Sequence, residues 1–225
     1  SLIPLAETFG LTLAQPVWEE LADEDWSLSW KQHWQPDPVG ERLLILPAWL
    51  DVPEEHAHRL VLKMDPGSAF GTGSHPTTRL CLEALERDPP SGLRVADLGC
   101  GSGVLGIAAL GLGARQVLSV DTDSLAVTAT TDNAVLNAFS EDELRVSKGS
   151  VAMLAKLLEG QPADLLLCNI LAPVIEALAP HFESVLRPGG RGLLSGLLVS
   201  QAPRLKDVLE GLGWAVKPIA DQGRW

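Results

Sequence analysis

From residue 77 onward, the hydrophobic pattern alternates between two kinds of segment. Short runs rich in leucine and β-branched residues end near Leu98, Val120, Val146, Asn169 and Ser195. Amphipathic stretches of helical length lie at residues 77–87, 103–112, 123–137, 151–159, 173–186 and 200–212. Because parallel strands need crossover connections, this alternation predicts an α/β fold with a doubly wound parallel sheet and helices on both faces. In such sheets ligands bind beyond the carboxyl ends of the strands, so the residues after each strand are the candidates for chemistry.

The first fifty residues differ from the rest, since they hold five of the seven tryptophans. Trp26, Trp30 and Trp34 recur every four residues, which predicts one face of a helix that docks on the main domain. A substrate-contacting surface is the alternative. Residues 43–47 and 59–64 predict a short strand pair leading into the main domain, and we place the domain boundary near residue 53.

Composition and charge narrow the class of protein. The 225 residues suffice for one large domain, and no stretch approaches the roughly 20 apolar residues of a membrane span. Three widely separated cysteines and no secretory signal indicate a soluble protein of the reducing cytoplasm. The net charge of −12 disfavours direct nucleic-acid binding and favours a cationic partner.

The first strand end carries a glycine-rich loop, Asp97-Leu-Gly-Cys-Gly-Ser-Gly103. Its glycines allow close backbone approach to a ligand, although a bare loop of this kind is as often only a tight turn. A dinucleotide enzyme uses such a loop to hold a pyrophosphate, which the carboxylate of Asp97 would repel. That carboxylate suits an ammonium or sulfonium, and it therefore points to S-adenosylmethionine (SAM).

The second strand ends in Asp121, which stands 22 residues beyond Gly99. An acid at this place accepts hydrogen bonds from both ribose hydroxyls of NAD or SAM. The alternative is a helix cap formed together with Asp123. At the third strand end, adenine has only Ser150 and Val151 as candidate partners.

The fourth strand ends in Asn169, followed by Ile-Leu-Ala-Pro. An uncharged amide there accepts a hydrogen bond from an amine without adding a competing charge. Capping of the helix near residue 173 is the alternative. The Arg-Pro-Gly-Gly segment at 187–190 is expected to be a structural loop.

Residues 65–78 form a long loop rich in glycine and hydroxyl side chains, which suggests that it covers a ligand. Thr77 or Thr78 would otherwise cap the following helix, and His75 is either a catalyst or a hydrogen-bonded loop residue. The histidines form no set with acids or cysteines that would hold a metal, so we expect no metal.

The segments 65–78, 97–103 and 169–172, together with Asp121, closely resemble the family of bacterial ribosomal protein L11 methyltransferases. The resemblance implies a seven-stranded, mostly parallel, Rossmann-like sheet that binds SAM. The SAM contacts that it implies are at Thr78, Gly99, Asp121 and Asn169. We add Asp97, Gly101, Phe70, Gly71 and Thr77 as cofactor-binding candidates, and we assign catalysis to Asn169 and His75.

The resemblance also implies a substrate, which is a ribosomal protein at the base of the large-subunit stalk. Its lysine side chains and α-amino group would be methylated. Separately, we expect the enzyme to be a monomer. Residues 1–52 would then be the tail of a recognition domain plus a helical linker, and residues 53–225 the catalytic domain. Two departures from the family are that residues 1–22 are short for such a domain and that the last strand stops early at Trp225.

Methyl transfer requires a neutral amine, and deprotonating lysine at pH 7 costs roughly 4.6 kcal/mol for a pKa of about 10.4. An α-amine costs only about 1 kcal/mol. Since no base other than His75 is evident, we expect desolvation and the sulfonium to lower the amine pKa while water removes the proton. An NAD-dependent oxidoreductase, a methyltransferase for other substrates and an inactive SAM-binding module remain alternatives.

Overall fold

The computed structural model describes residues 34–65 and 73–225. The chain divides into two compact units, residues 1–35 and residues 36–225, and the elements below belong to the second unit. The predicted tryptophan-bearing helix falls mainly on residues 1–33 and so lies outside the described residues.

The central sheet of the described residues has five parallel strands. They are β4 (Arg94–Leu98), β5 (Gln116–Asp121), β6 (Leu144–Lys148), β7 (Ala163–Asn169) and β8 (Leu186–Ser195). Their order across the sheet is β6-β5-β4-β7-β8. Strands β5 and β6 therefore follow β4 on one side, and β7 and β8 are added on the other side of β4. Strand order therefore reverses between β4 and β7.

Helices cover both faces of this sheet, as predicted. They are α1 (Pro76–Arg87), α2 (Val104–Gly111), α3 (Ser124–Leu136), α4 (Val151–Leu157), α5 (Ala172–Leu178) and α6 (Ala202–Gly211). Short 3-10 turns lie at Glu54–His56, Ala179–Ser184 and Val199–Gln201. Because side chains alternate along a strand, Val95 of β4 packs with α1 and α2 whereas Ala96 and Leu98 pack with α4 to α6. The two faces thus form two apolar cores.

A second, three-stranded sheet precedes the central one. It contains β1 (Asp37–Val39), β2 (Leu43–Pro47) and β3 (Leu60–Met64), and the pairing of β2 with β3 confirms the predicted strand pair. The additional strand β1 pairs antiparallel with β2. This sheet spans the boundary that we predicted near residue 53, and the compact unit begins at Pro36. The assignment of residues 1–52 as a domain tail and linker stays a prediction.

Two details of the predicted sheet differ from the structure. Seven strands were expected, and the central sheet has five among the described residues. The segment 187–190, expected to be a structural loop, falls within the bounds of β8 as an irregularity in its pairing, since Leu186 pairs with Ala163 and Arg191 pairs with Leu165. Within the described part of the chain, no helix combines the length and apolar character needed to cross a membrane.

Candidate active site

A cavity of about 420 Å³ opens at the point where strand order reverses. Six of the predicted site residues line it: His75, Thr77, Gly99, Gly101, Asp121 and Asn169. The part of the cavity beyond β5 and β6 is lined by Thr122, Gly149 and Ser150. The part beyond β7 has an apolar wall, which is formed by Ile170, Leu171, Val174 and Leu178. The sheet topology thus brings together side chains that lie far apart in sequence.

The glycine loop after β4 requires glycine at its first position. Gly99 has φ +80°, and a Cβ atom there would lie 2.4 Å from Cγ2 of Ile170. Any larger residue would collide with the loop that follows β7 or push it away. The loop of β4 and the loop of β7 therefore pack directly against each other at the cavity.

Helix α3 holds the glycine loop through two buried polar side chains. Oγ1 of Thr130 donates to the carbonyl of Gly101 (3.0 Å), and Nδ2 of Asn133 donates to the carbonyl of Ser102 (2.9 Å). Oδ1 of Asn133 also accepts from the backbone N–H of Asp65 (2.8 Å), which ties the end of β3 to the same loop. We did not predict these residues, and their one sequence signal is a pair of polar residues three apart on the buried face of the helix.

The carboxylate of Asp121 is oriented by two backbone amides. Its Oδ2 accepts from the N–H of Gly101 and its Oδ1 from the N–H of Asp123, both at 3.0 Å. Helix α3 is capped by Asp123, whose Oδ1 accepts from the N–H of Leu125 (2.9 Å). Asp121 is therefore not the helix cap, and its carboxylate is fixed at the cavity wall.

Asn169 is held by a residue from the beginning of α1. Its Nδ2 donates to Oγ1 of Thr78 at 3.1 Å, and Asn169 itself lines the cavity. Thr78 is 2% exposed and is not among the described residues that line the cavity. Helix α5 has Leu171 at its N-cap position, so Asn169 is not its cap. The contact of Thr78 with SAM stays a prediction, and its observed contact is with Asn169.

Comparison with known proteins identifies the family. The family model described as ribosomal protein L11 methyltransferase (PrmA) matches residues 5–225. The chain belongs to this family. A ribosomal protein L11 methyltransferase of Parasynechococcus marenigrum (strain WH8102) is 72% identical over 225 residues, which are 100% of this chain and 78% of that protein. The corresponding protein of Prochlorococcus marinus (strain MIT 9313) is 70% identical over 100% of this chain and 75% of its own length.

A solved structure agrees with this assignment. The crystal structure of a ribosomal protein L11 methylase from Lactobacillus delbrueckii subsp. bulgaricus superposes with a TM-score of 0.76 at 32% identity. The match covers 85% of this chain and 95% of that chain. This member of the L11 methyltransferase family is therefore a SAM-dependent methyltransferase, and the oxidoreductase alternative is wrong.

The cavity of this L11 methyltransferase family member fits SAM. The glycine loop leaves room for close approach of a ligand, and Asp121, Gly149 and Ser150 line the cavity. Hydrogen bonding of Asp121 to the ribose hydroxyls stays a prediction, and so does adenine binding by Ser150. The volume is within the range usual for small-molecule sites. Two of the predicted contacts, Phe70 and Gly71, lie outside the described residues.

His75 and Thr77 shape the start of α1. Nδ1 of His75 accepts from the N–H of Thr77 and lies 2.8 Å from its hydroxyl, so His75 is the N-cap of α1 and the alternative of a cap at Thr77 or Thr78 is wrong. The carbonyl of Thr77 accepts from Oγ of Ser195 on β8 (3.2 Å). The His75 ring packs edge-on against Trp225, with centroids 4.8 Å apart. A role of His75 as the base stays a prediction.

Asp97 lies behind the glycine loop rather than at the described cavity wall. It is 1% exposed, and its Oδ2 has no hydrogen-bond partner among the described residues. Burial, with a further contribution from the charge of Asp121, raises the pKa of Asp97 to about 7. The unpartnered Oγ of Ser119 converges on the same space beside Gly106. Direct binding of SAM by Asp97 stays a prediction.

The cysteines offer no nucleophile. Cys81, Cys100 and Cys168 are all buried with free thiols. Burial raises the pKa of Cys81 to about 12, and it raises the pKa of Cys100 and of Cys168 as well. Across residues 34–65 and 73–225, no three His, Cys, Asp or Glu side chains cluster as metal ligands.

Proposed function

We propose that this protein transfers methyl groups from SAM to amino groups of ribosomal protein L11, both lysine side chains and the α-amine. The family assignment supports the reaction class, and the names of the relatives point to the substrate. As the resemblance implies, the substrate would be the ribosomal protein at the base of the large-subunit stalk. The enzyme would act as a cytoplasmic monomer.

The observation that carries the proposal is the meeting of three strand ends in one cavity. The glycine loop after β4, Asp121 at the end of β5 and Asn169 at the end of β7 all line it. A carboxylate for the ribose and an amide for the amine thus lie at two different ends of one site. That separation fits a cofactor that spans the sheet edge and reacts at its far end.

Bound SAM would supply a methyl group on a sulfonium, which is electrophilic without further activation. Asp121 would accept the ribose hydroxyls, and its orientation by the amides of Gly101 and Asp123 is set before any ligand arrives. Such charge-assisted bonds are worth roughly 1.5–3 kcal/mol each. This residue therefore contributes mainly to cofactor affinity.

Asn169 would orient the methyl-accepting amine. Because Nδ2 is engaged by Thr78, Oδ1 is the atom that accepts an N–H of the amine, which directs the nitrogen lone pair away from the amide. Placing the nucleophile in this way draws on the roughly 7–11 kcal/mol available from proximity. Asn169 carries no charge and so adds no attraction that would keep the amine protonated.

The apolar wall after β7 would assist deprotonation. Ile170, Leu171 and Val174 line the cavity next to Asn169, and a desolvated ammonium has a lowered pKa. Leu171 and Val174 are also 67% and 43% exposed, so they extend the wall outward to where a polypeptide would approach. The net charge of −12 favours association of the protein with a basic substrate.

The test is methylation of purified L11 by this chain in the presence of labelled SAM, with peptide mass spectrometry to locate added methyl groups. Methyl groups on lysine or the α-amine of L11, lost in Asn169→Ala, support the proposal. Turnover with another basic protein but none with L11 would contradict the substrate, and full turnover by Asn169→Ala with unchanged SAM affinity would contradict the orienting role.

A further inference from the structure

Trp225 lines the same cavity as Asn169, and its indole ring packs edge-on against the ring of His75 at 4.8 Å and 70°. His75 caps helix α1, whose Thr78 holds the amide of Asn169. The aromatic pair is thus connected to the amine-orienting end of the site rather than to the ribose end at Asp121.

Backbone hydrogen bonds hold Trp225 in place. The N–H of Val199 donates to the carbonyl of Arg224 (2.9 Å), and Gln222 and Trp225 bond to each other through their backbones. The turn at residues 222–225 is therefore fixed to the segment that follows β8. The indole is half-buried, so one part packs against protein while another part faces the cavity.

The electrostatics of this ring already suit a cation. The guanidinium carbon of Arg224 lies 5.2 Å from the centroid of the Trp225 ring, within the range of a cation–π contact. Arg224 itself is exposed, so its charge is solvated and its contact with the ring is weak. A second cation that is desolvated in the cavity would interact more strongly with the same π system.

Asn169 alone does not explain how the site would bind the substrate nitrogen after methylation. An amine nitrogen is cationic before it loses its proton, and it is cationic again after each methyl transfer. As methyl groups replace N–H groups, the nitrogen loses the donors that Oδ1 of Asn169 would accept. An aromatic face binds such a cation without requiring a donor.

We propose that Trp225 is a specificity-determining residue of the methyl-accepting subsite, where its indole ring holds the methylated, cationic nitrogen that a transfer produces by a cation–π contact. His75 fixes the tilt of the ring through their edge-to-face packing. This assignment rests on the proposed function, since it takes the Asn169 end of the cavity to be the amine end.

Binding without turnover tests the proposal. Two peptides with the L11 sequence around a target lysine are titrated calorimetrically into the full chain saturated with S-adenosylhomocysteine. One carries trimethyllysine, which has the charge but no N–H, and the other carries norleucine, which has a similar stem without charge. The wild type is expected to prefer the cationic peptide by about 2- to 30-fold.

Three variants test whether the Trp225 ring causes the preference and whether Arg224 competes for it. Trp225→Leu should abolish the preference, Trp225→Phe should keep a reduced one, and Arg224→Gln should strengthen it because a competing cation is removed. Affinity for S-adenosylhomocysteine is measured in each variant and should change by less than about threefold, which shows that the cavity is intact. If Trp225→Leu does not fold, the cation preferences of Trp225→Phe and Arg224→Gln decide the outcome.

Equal binding of the two peptides by the wild type, or an unchanged preference in Trp225→Leu, would overturn the proposal. These outcomes differ from failure of the proposed function, which is recognised by the absence of methylated L11 in the turnover assay with the wild type. The titration detects the cation preference whether or not turnover occurs.

Discussion

Nδ2 of Asn169 donates a hydrogen bond to Oγ1 of Thr78 across a sequence separation of 91 residues. The bond joins the end of β7 to the first turn of α1, and Thr78 is buried while Asn169 lines the cavity. Thr78 is thus connected to the cavity through Asn169. The side chain that we propose to orient the amine is held by a hydroxyl that does not itself line the cavity.

Loss of this hydroxyl should slow turnover more than it weakens cofactor binding. Thr78→Val leaves Nδ2 of Asn169 without its partner, and an unsatisfied group of this kind costs about 1–3 kcal/mol. We expect kcat to fall by roughly 5- to 100-fold while the Kd for SAM changes by less than about threefold. Thr78→Ser retains the hydroxyl and serves as the control. A large loss of SAM affinity in Thr78→Val with normal kcat would show instead that Thr78 binds the cofactor.

The pKa of Asp97 predicts a dependence of stability on pH. In the folded protein this pKa is about 7, against 3.8 for an ordinary aspartate, so above pH 4 the folded state holds a proton that the unfolded chain releases. The free energy of unfolding should therefore fall as the pH rises from about 4 to 7 and then level off. The free energy of unfolding at pH 7 should be lower than that at pH 4 by about 4 kcal/mol at most.

Asp97→Asn removes this titration and should be more stable than the wild type at pH 8, with little gain at pH 4.5. Urea unfolding at the two pH values measures the difference. A mutant whose stability advantage does not grow with pH would contradict the raised pKa. Calorimetry on the same variant also shows whether Asp97 contributes to SAM affinity.

The close packing of Gly99 on Ile170 predicts a sharp effect of one methyl group. Gly99→Ala places a Cβ 2.4 Å from Cγ2 of Ile170 and forces alanine to φ +80°, so the loops of β4 and β7 must separate. SAM affinity should fall by at least about tenfold. Gly92→Ala is the matched control, because Gly92 has φ +71° but no atom within 4 Å of an added Cβ. It should cost about 1–2 kcal/mol of stability and leave SAM binding unchanged. Equal SAM affinities of the two variants would refute the packing argument.

The anchoring of the glycine loop by α3 is tested by two threonines on that helix. Oγ1 of Thr130 is buried and donates to Gly101, whereas Oγ1 of Thr131 is exposed and bonds only within the helix, to Val127. Thr130→Val should weaken SAM binding by about 5- to 20-fold, since the loop loses a support worth roughly 1–2 kcal/mol. Thr131→Val should change it by less than twofold. Similar SAM affinities for both variants, measured by calorimetry, would mean that the loop does not depend on α3.

Much of this site was predictable because it follows from sheet geometry. The alternation of strands and helices placed Gly99, Asp121 and Asn169 at the carboxyl ends of parallel strands, and parallel strands bring these ends to one edge of the sheet. The periodicity that indicates a strand also indicates where it ends. For this reason the five strands of the central sheet were found close to their observed ends.

The residues that support the site were not predictable in the same way. Thr78 meets Asn169, and Asn133 meets Ser102 and Asp65, only because helices of one face cross particular strands. Such contacts depend on helix rotation and register, which a hydrophobic pattern fixes only to within a residue or two. His75 shows a related limit, since a histidine N-cap is uncommon and the neighbouring threonines matched the usual preference.

The most direct test of the central claim is calorimetric titration of SAM into Asp121→Ala and Asp123→Ala. The account holds that Asp121 binds the cofactor at the strand-order reversal, while Asp123 only caps α3. It predicts that Asp121→Ala lowers SAM affinity by at least about tenfold and that Asp123→Ala loses about 1 kcal/mol of stability with near-normal SAM affinity. Unchanged SAM affinity in Asp121→Ala would contradict the claim that this cavity is the SAM site.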